Sequence, residues 1–207
     1  MTELITFDWI EHPEDSRLSE ALTIYVEAFE NESITNYLLD LSHDETKQAF
    51  FELQSKFSKY TLSQGQKILI AKMNNEVVGL AILVLPNPES VTSSLKYLPN
   101  LAWSALKTAR HVKWGRVINY LRTYPLISKN AEGAITLAIL GVSSSKQGYG
   151  IGRKLLLEII SYANTLGYPL YLVTGLDKTR DYYKTYQFDV VESHQSDQLT
   201  IYEMLRQ

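Results

Sequence analysis

The chain contains no cysteine. That absence excludes disulfides, thiolate metal sites and a cysteine nucleophile, and it leaves the redox compartment open. Long apolar runs are also missing. None approaches the ~20 residues of a membrane-spanning helix, so no transmembrane segment is expected. The stretch from Met1 to Asp15 lacks the basic and apolar regions of a secretory leader, and a cytoplasmic location is the default expectation. One region lacks a whole class of charge. Between Ser90 and Ala131 there is no acid, while Lys96, Lys107, Arg110, Lys113, Arg116, Arg122 and Lys129 all fall there. The rest of the chain holds 13 basic against 23 acidic residues. Such a basic segment suits an anionic small molecule, a nucleic acid or membrane surface, or plain solvent beside an acidic remainder. With 207 residues, 45% of them hydrophobic, one domain spanning 1–207 with a sizeable core is expected.

Hydrophobic periodicity supplies the elements. Leu4 to Ile10 reads as a first strand. After Asp15 and Ser16, which suit a helix N-cap, Leu18, Ala21, Leu22, Tyr25, Val26 and Phe29 form a helical stripe. A short helix carries Tyr37, Leu38 and Leu41. Ser42 to Glu45 has capping-box spacing and opens a helix expected to bury Ala49, Phe50, Leu53, Phe57 and Tyr60. Lys67 to Met73 and Glu76 to Leu85 read as a hairpin about Asn74-Asn75, a pair that tolerates positive φ. Gly79 within it marks a bulge or a close approach. Residues 86–133 read as a helical insertion of two or three short helices, from Leu101, Ala105, Leu106, Ala109 and Val112, then Val117, Ile118 and Leu121. Trp103 and Trp114 are expected to anchor those helices. Beyond it come a strand from Ile135 to Val142 and a helix to Leu166 with buried face Leu155, Leu156, Ile159, Ile160 and Ala163. Gly167 suits a C-cap. A strand from Pro169 to Thr174, parallel to its predecessor, follows, then a helix from Asp177 to Tyr186 and two last strands.

The stretch Ile135 to Ile160 carries the chemistry. A strand runs through Ser143 to Lys146 into Gln147-Gly148-Tyr149-Gly150-Ile151-Gly152, and a helix begins near Arg153. Strand, glycine loop and helix start together make an anion site, because free N–H groups and the helix dipole both favour negative charge there. The P-loop pattern fails, since Gly152 is followed by Arg153-Lys154-Leu155. The dinucleotide fingerprint fails because arginine stands where its third glycine belongs. The pattern Q/R-x-x-G-x-G/A is met by Gln147, Gly150 and Gly152.

On that pattern the sequence resembles the GNAT superfamily of acyl-CoA-dependent N-acetyltransferases. The resemblance implies an α/β (α+β) fold, a mixed and mostly antiparallel central sheet flanked by helices, and acetyl-CoA as co-substrate without a metal. It implies that Gln147, Gly148, Tyr149, Gly150, Ile151, Gly152 and Arg153 grip the coenzyme pyrophosphate, and that Leu140, Gly141 and Val142 carry the pantetheine arm. The Val142 N–H is then the oxyanion donor for direct attack through a tetrahedral intermediate. The passage from Asn74 to Ala81 also resembles the family's second hairpin. Tyr182 to Phe188 resembles the family's F-Y-x-x-x-G-F segment, which aligns Tyr183 with the phenol that protonates the departing thiolate. Two positions depart from the pattern: Gln187 replaces its glycine, and Leu176 replaces an asparagine often found upstream.

The implied activity is N-acetyl transfer to a primary amine of a small molecule or peptide, with nucleic acid not expected as a partner and a homodimer left open. A non-catalytic acyl-CoA-binding module on the same fold is the alternative, because the central strand offers no carboxylate as a base. Glu30, Glu32, Glu132 and His111 are the candidate bases elsewhere.

Overall fold

The computed structural model describes residues 4–29, 33–86, 94–124, 128–196 and 199–207. Among them, strands β1 (Ile5–Ile10), β2 (Lys67–Met73), β3 (Glu76–Val84), β4 (Ile135–Val142), β5 (Leu170–Thr174), β6 (Asp189–Ser196) and β7 (Leu199–Arg206) form one sheet. Its order is β1-β2-β3-β4-β5-β7-β6, and only the β4–β5 pair is parallel. The helices are α1 (Leu18–Phe29), α2 (Ser33–Leu38), α3 (Asp44–Ser63), α4 (Leu98–Ala109), α5 (Trp114–Thr123), α6 (Ile151–Leu166) and α7 (Asp177–Lys184). The expected mixed, mostly antiparallel sheet with flanking helices is therefore present.

Both sheet faces are covered, which is why β2 is apolar from Ile68 to Ala71. Successive side chains alternate between two cores. Leu69 and Ala71 join Leu137, Leu155 and Ile159 beneath α6. Ile68 and Ile70 join Leu22, Phe50 and Leu80 beneath α1 and α3. The hairpin forms as read, with Asn74 at φ 53 and Asn75 at φ 67. Gly79 meets both expectations. Val78 is the extra residue of a bulge between Ala71 and Lys72, and a Cβ at 79 would lie 2.9 Å from Leu155 Cδ1. Gly167 ends α6 at φ 72, with its N–H and that of Tyr168 donating to Asn164 and Ala163 carbonyls.

Three expectations fail. The N-cap of α3 is His43, and the capping box does not form. Ser42 is engaged elsewhere, its hydroxyl donating to Asp40 at 2.6 Å. Phe57 is 48% exposed and faces an open apolar cavity. Trp103, 61% exposed, is not the anchor expected, whereas Trp114, though 57% exposed, ties the start of α5 to the end of α4 by donating its Nε1–H to the Ala109 carbonyl at 3.0 Å. α4 instead packs on α3 through small polar residues, the buried Ser104 and Thr108, with Thr108 Oγ1 donating to the Ala49 carbonyl at 3.1 Å.

Candidate active site

β4 and β5 pair only at Ile135–Leu170 and Thr136–Tyr171, then part. A cavity of about 410 Å³ opens where they diverge. Leu137 to Leu140 line it from β4, Leu172 to Thr174 from β5, and Tyr183 from α7. Ala28 and Phe29 of α1, Ile34 and Thr35 of α2, and Tyr120 and Tyr124 at the end of α5 complete the wall. A second, more apolar cavity of about 390 Å³ lies between α1, α3 and the sheet and includes Tyr25, Leu53, Phe57, Ile82 and Val84. Phe29, Ala138 and Ile139 line both. Ala138 belongs there because the β3–β4 register skips it between Leu83–Leu137 and Ile82–Ile139, a bulge that turns its side chain out of the sheet.

The ladder fixes where the Val142 N–H points. Ser143 N–H donates to the Val78 carbonyl at 3.0 Å, and Val142 is the next residue, opposite Gly79. Hydrogen-bonded and non-hydrogen-bonded pairs alternate in an antiparallel ladder. The Val142 and Leu140 N–H groups therefore turn away from β3, toward the gap left by β5.

The loop after β4 is an anion cradle in its own right. Gly148 and Gly150 hold φ 87 and 75, and a Cβ at either would meet no protein atom within 4 Å. Gly150 is the N-cap of α6, and no N–H from Gly148 through Arg153 finds an acceptor among the described residues. Lys146, Arg153 and Lys154 are the charged residues of this stretch, and none is acidic. Six free donors at a helix start, with no anion of the protein's own, fit a pyrophosphate.

On the opposite wall, Tyr183 is 8% exposed, with its ring packed on Phe188 at 5.5 Å. Burial raises its pKa above the usual phenol value. Its hydroxyl has no protein hydrogen bond among the described residues, and the residue lines the cavity. The glycine missing from the segment is accommodated by strain: Gln187 takes φ 66, a left-handed conformation costing ~1–2 kcal/mol for a residue with a Cβ. Leu176 also borders the cavity, at the N-cap of α7, and gives no side-chain cap.

Of the candidate bases, the two that lie among the described residues, Glu132 and His111, are not brought to the cleft. Glu132 is exposed and precedes the far end of β4. The length of β4, ~23 Å from Ile135 to Val142, lies between it and Val142. His111 is held between Thr46 Oγ1 at 3.1 Å and Arg110 Nε at 3.0 Å, away from both cavities. Glu30 and Glu32 lie outside the described residues. No carboxylate lines either cavity among the described residues.

The model of the "Acetyltransferase (GNAT) family" matches residues 27–188. The chain belongs to the GNAT acetyltransferase family. Solved GNAT structures agree in fold. One described as histone acetyltransferase HPA2 and related acetyltransferase, from Corynebacterium glutamicum, is 19% identical, covering 100% of this chain and 96% of that one, with a TM-score of 0.64. A ribosomal-protein-alanine N-acetyltransferase from Brucella melitensis is 19% identical over 98% of each chain, with a TM-score of 0.57. An acyl-CoA N-acyltransferase from Pseudomonas aeruginosa is 17% identical, covers 99% and 100%, and has a TM-score of 0.54. A comparison with curated proteins finds no match.

In this GNAT chain, the cleft residues that sequence reading passed over are Tyr120 and Tyr124. Their signal was available. Val117, Tyr120 and Tyr124 recur at helical spacing, and this stripe faces inward, while Ile118 and Leu121 are exposed.

Proposed function

We propose that the chain, acting as one domain, is an N-acetyltransferase that moves the acetyl group of acetyl-CoA to a primary amine by direct attack through a tetrahedral intermediate. The observation that carries this reading is the run of unpaired N–H groups from Gly148 to Arg153, at the mouth of a strand split bordered by a buried phenol. Gln147 to Arg153 hold the coenzyme pyrophosphate, and Leu140, Gly141 and Val142 take the pantetheine arm. The Val142 N–H donates to the carbonyl oxygen as charge gathers on it. Tyr183 stays neutral because burial disfavours its phenolate, so it keeps the proton that the departing sulfur needs. Among the described residues no carboxylate lines the cleft, which supports water in the open cavity as the acceptor of the amine's proton. The apolar lining around Phe29, Leu53 and Phe57 supports an acceptor whose amine is joined to an apolar body.

The absence of a lining carboxylate among the described residues favours one second reading, a non-catalytic acyl-CoA-binding module. Thiol release from acetyl-CoA with a panel of primary amines separates the two. Turnover is expected, best with apolar amines, and Tyr183→Phe should lower kcat by ~10²-fold with its melting temperature retained. Tight coenzyme binding with no turnover for any amine would select the module instead.

A further inference from the structure

The inward face of α3 changes character along its length. Phe50 and Leu53 are apolar, as a helix laid on a sheet requires. Gln54, Ser58 and Thr61 then follow at i, i+4 and i+7, and all three line the second, more apolar cavity. Ser58 is only 3% exposed. The Thr61 hydroxyl is spent within the helix, donating to the Ser58 carbonyl at 3.1 Å. The Ser58 hydroxyl and the Gln54 amide have no hydrogen-bond partner among the described residues. There, the one side-chain polar atom that is both sealed off and unpartnered is Arg206 Nε. The Ser58 hydroxyl is therefore not sealed, and the trace of exposure it keeps opens into the cavity that Ser58 lines. Gln66 joins from the edge of β2. Its Oε1 accepts the Leu85 N–H at 2.5 Å, and its backbone N–H donates to the Thr61 carbonyl at 3.1 Å, which leaves its Nε2 hydrogens unspent. Polar groups held unpaired against an apolar wall are costly unless a ligand or water meets them.

These groups mark the end of the cavity remote from the reaction. Val142 pairs with Gly79 at one end of β3, and Thr136 pairs with Val84 at the other. Val84 lies five residues, ~17 Å of strand, from Gly79, and Leu85, which Gln66 holds, comes next. Ile139, which pairs with Ile82, stands between these ends, and there Phe29, Ala138 and Ile139 join the two cavities. Among the described residues neither cavity is lined by a charged side chain. A second ammonium or a carboxylate on the ligand would enter without a counter-charge.

We propose that the second cavity seats a bifunctional acceptor: a primary amine directed past Ala138 toward the thioester, an apolar middle, and an uncharged hydrogen-bonding group such as a hydroxyl at the far end, bound by Ser58, Gln54 and Gln66. The proposal rests on the acetyltransferase reading and names its substrate class, hydroxylated alkyl- or arylalkylamines. It discriminates against polyamines and amino acids, whose second charge finds no partner in either cavity.

The test compares the full-length wild type with Ser58→Ala and Gln54→Leu. The probes are two matched pairs, tyramine against phenylethylamine and aminohexanol against hexylamine, with hexanediamine as the doubly charged comparator. Thiol release gives KM for each amine and for acetyl-CoA separately. In the wild type the hydroxylated member of each pair should have the lower KM, by about three- to tenfold, the scale of one hydrogen bond between neutral groups, and hexanediamine should bind worst of its set. Ser58→Ala should bring that preference toward unity by raising KM for the hydroxylated amines alone, with KM for hexylamine and acetyl-CoA unchanged; Gln54→Leu should act in the same sense. The melting temperature of Ser58→Ala should equal or exceed the wild-type value, because alanine removes an unpartnered hydroxyl and favours the helix. No preference in the wild type, equal KM rises for both members of a pair, or a lower melting temperature in Ser58→Ala would each overturn the proposal. If the wild type binds coenzyme A but transfers to no amine, the acetyltransferase reading fails by itself. Calorimetric titration of the same pairs into the coenzyme-loaded protein then decides: tighter binding of the hydroxylated member, lost in Ser58→Ala, supports the subsite, while equal binding, or none, overturns it.

Discussion

The two glycines that frame the start of α6 should respond oppositely to the same methyl group. Gly150 sits at φ 75 with nothing within 4 Å of a built Cβ. Alanine there meets no clash, only the left-handed penalty of ~1–2 kcal/mol, partly offset by the ~0.4–1 kcal/mol that alanine gains by restricting the unfolded chain. The expected net cost is ~1 kcal/mol, or ~2–4 °C in melting temperature for a chain of this size. Gly152 lies inside α6, where its Cβ would rest 3.5 Å from Val142 Cγ2, an ordinary contact. Alanine should there stabilise by up to ~1 kcal/mol.

Coenzyme binding should split the pair further. Relief of strain at 150 swings the N–H groups of Gly150 to Gly152 away from a common point, and the empty space beside Gly150 is where a ligand must approach. Losing even one bond to a charged phosphate oxygen is worth ~1.5–3 kcal/mol, so Gly150→Ala should weaken coenzyme A binding by at least roughly tenfold. Gly152→Ala should leave it near the wild-type value. Thermal melts without ligand and calorimetric titration with coenzyme A give both quantities. Wild-type affinity in Gly150→Ala would refute the cradle, because the donors could not then depend on that backbone conformation.

Two further outcomes are expected. Gly79→Ala places a Cβ 3.1 Å from the Gly141 carbonyl oxygen and 3.2 Å from Ile151 Cγ2, so it should lower stability by ~1–3 kcal/mol and, by pushing the first turn of α6, weaken coenzyme A binding as well; unchanged melting and affinity would count against the close packing. Alkaline stability should fall steeply. Burial first, with the neighbouring Glu203 charge, pushes Tyr171 up to about 12, and burial also raises Tyr124 and Tyr183. Above pH ~10 the unfolded chain loses phenol protons that the folded chain keeps, so stability drops with pH by ~1.4 kcal/mol per unit for each such group, and below pH ~10 that contribution is fully present. Melting temperatures from pH 8 to 11.5 should decline less steeply for Tyr171→Phe than for the wild type; identical slopes would show that Tyr171 ionises equally in both states.

What sequence revealed was local, and what it hid was assembled from afar. The cradle is a contiguous strand, loop and helix start, so its glycine spacing exposed both coenzyme and family. The hairpin declared itself through two asparagines that accept positive φ. The misread elements were those whose inner face depends on a neighbour. α5 has two possible stripes, and the one turned inward, Val117, Tyr120 and Tyr124, was chosen by α2 and β6 rather than by hydrophobicity. Ser42 had a rival partner two residues away in Asp40. The cleft wall draws on Phe29, Thr35, Tyr124 and Thr174 from four separate stretches of chain. No short window contains that combination.

The missing acids of the insertion find their reason at α2. This helix has six residues, too few to persist alone, and its last carbonyls have no partners within the helix. The insertion supplies them. Lys113 Nζ donates to the Asn36 and Leu39 carbonyls at 3.2 and 3.3 Å, and the Lys113 N–H to that of Leu38 at 2.9 Å. Arg116 reaches the Tyr37 carbonyl at 3.4 Å and lies over the Tyr37 ring at 5.3 Å. Cations at a helix C-terminus complement its dipole, and an acid in their place would oppose it. Lys107 is spent on Glu52 at 3.2 Å. Several of the seven positive charges therefore serve the fold, not an anionic partner. Through α2 they also serve the site, because Ile34 and Thr35 wall the cleft only while α2 is held. The insertion thus shapes the cleft twice, directly through Tyr120 and Tyr124 and indirectly by clasping the short helix that carries Ile34 and Thr35.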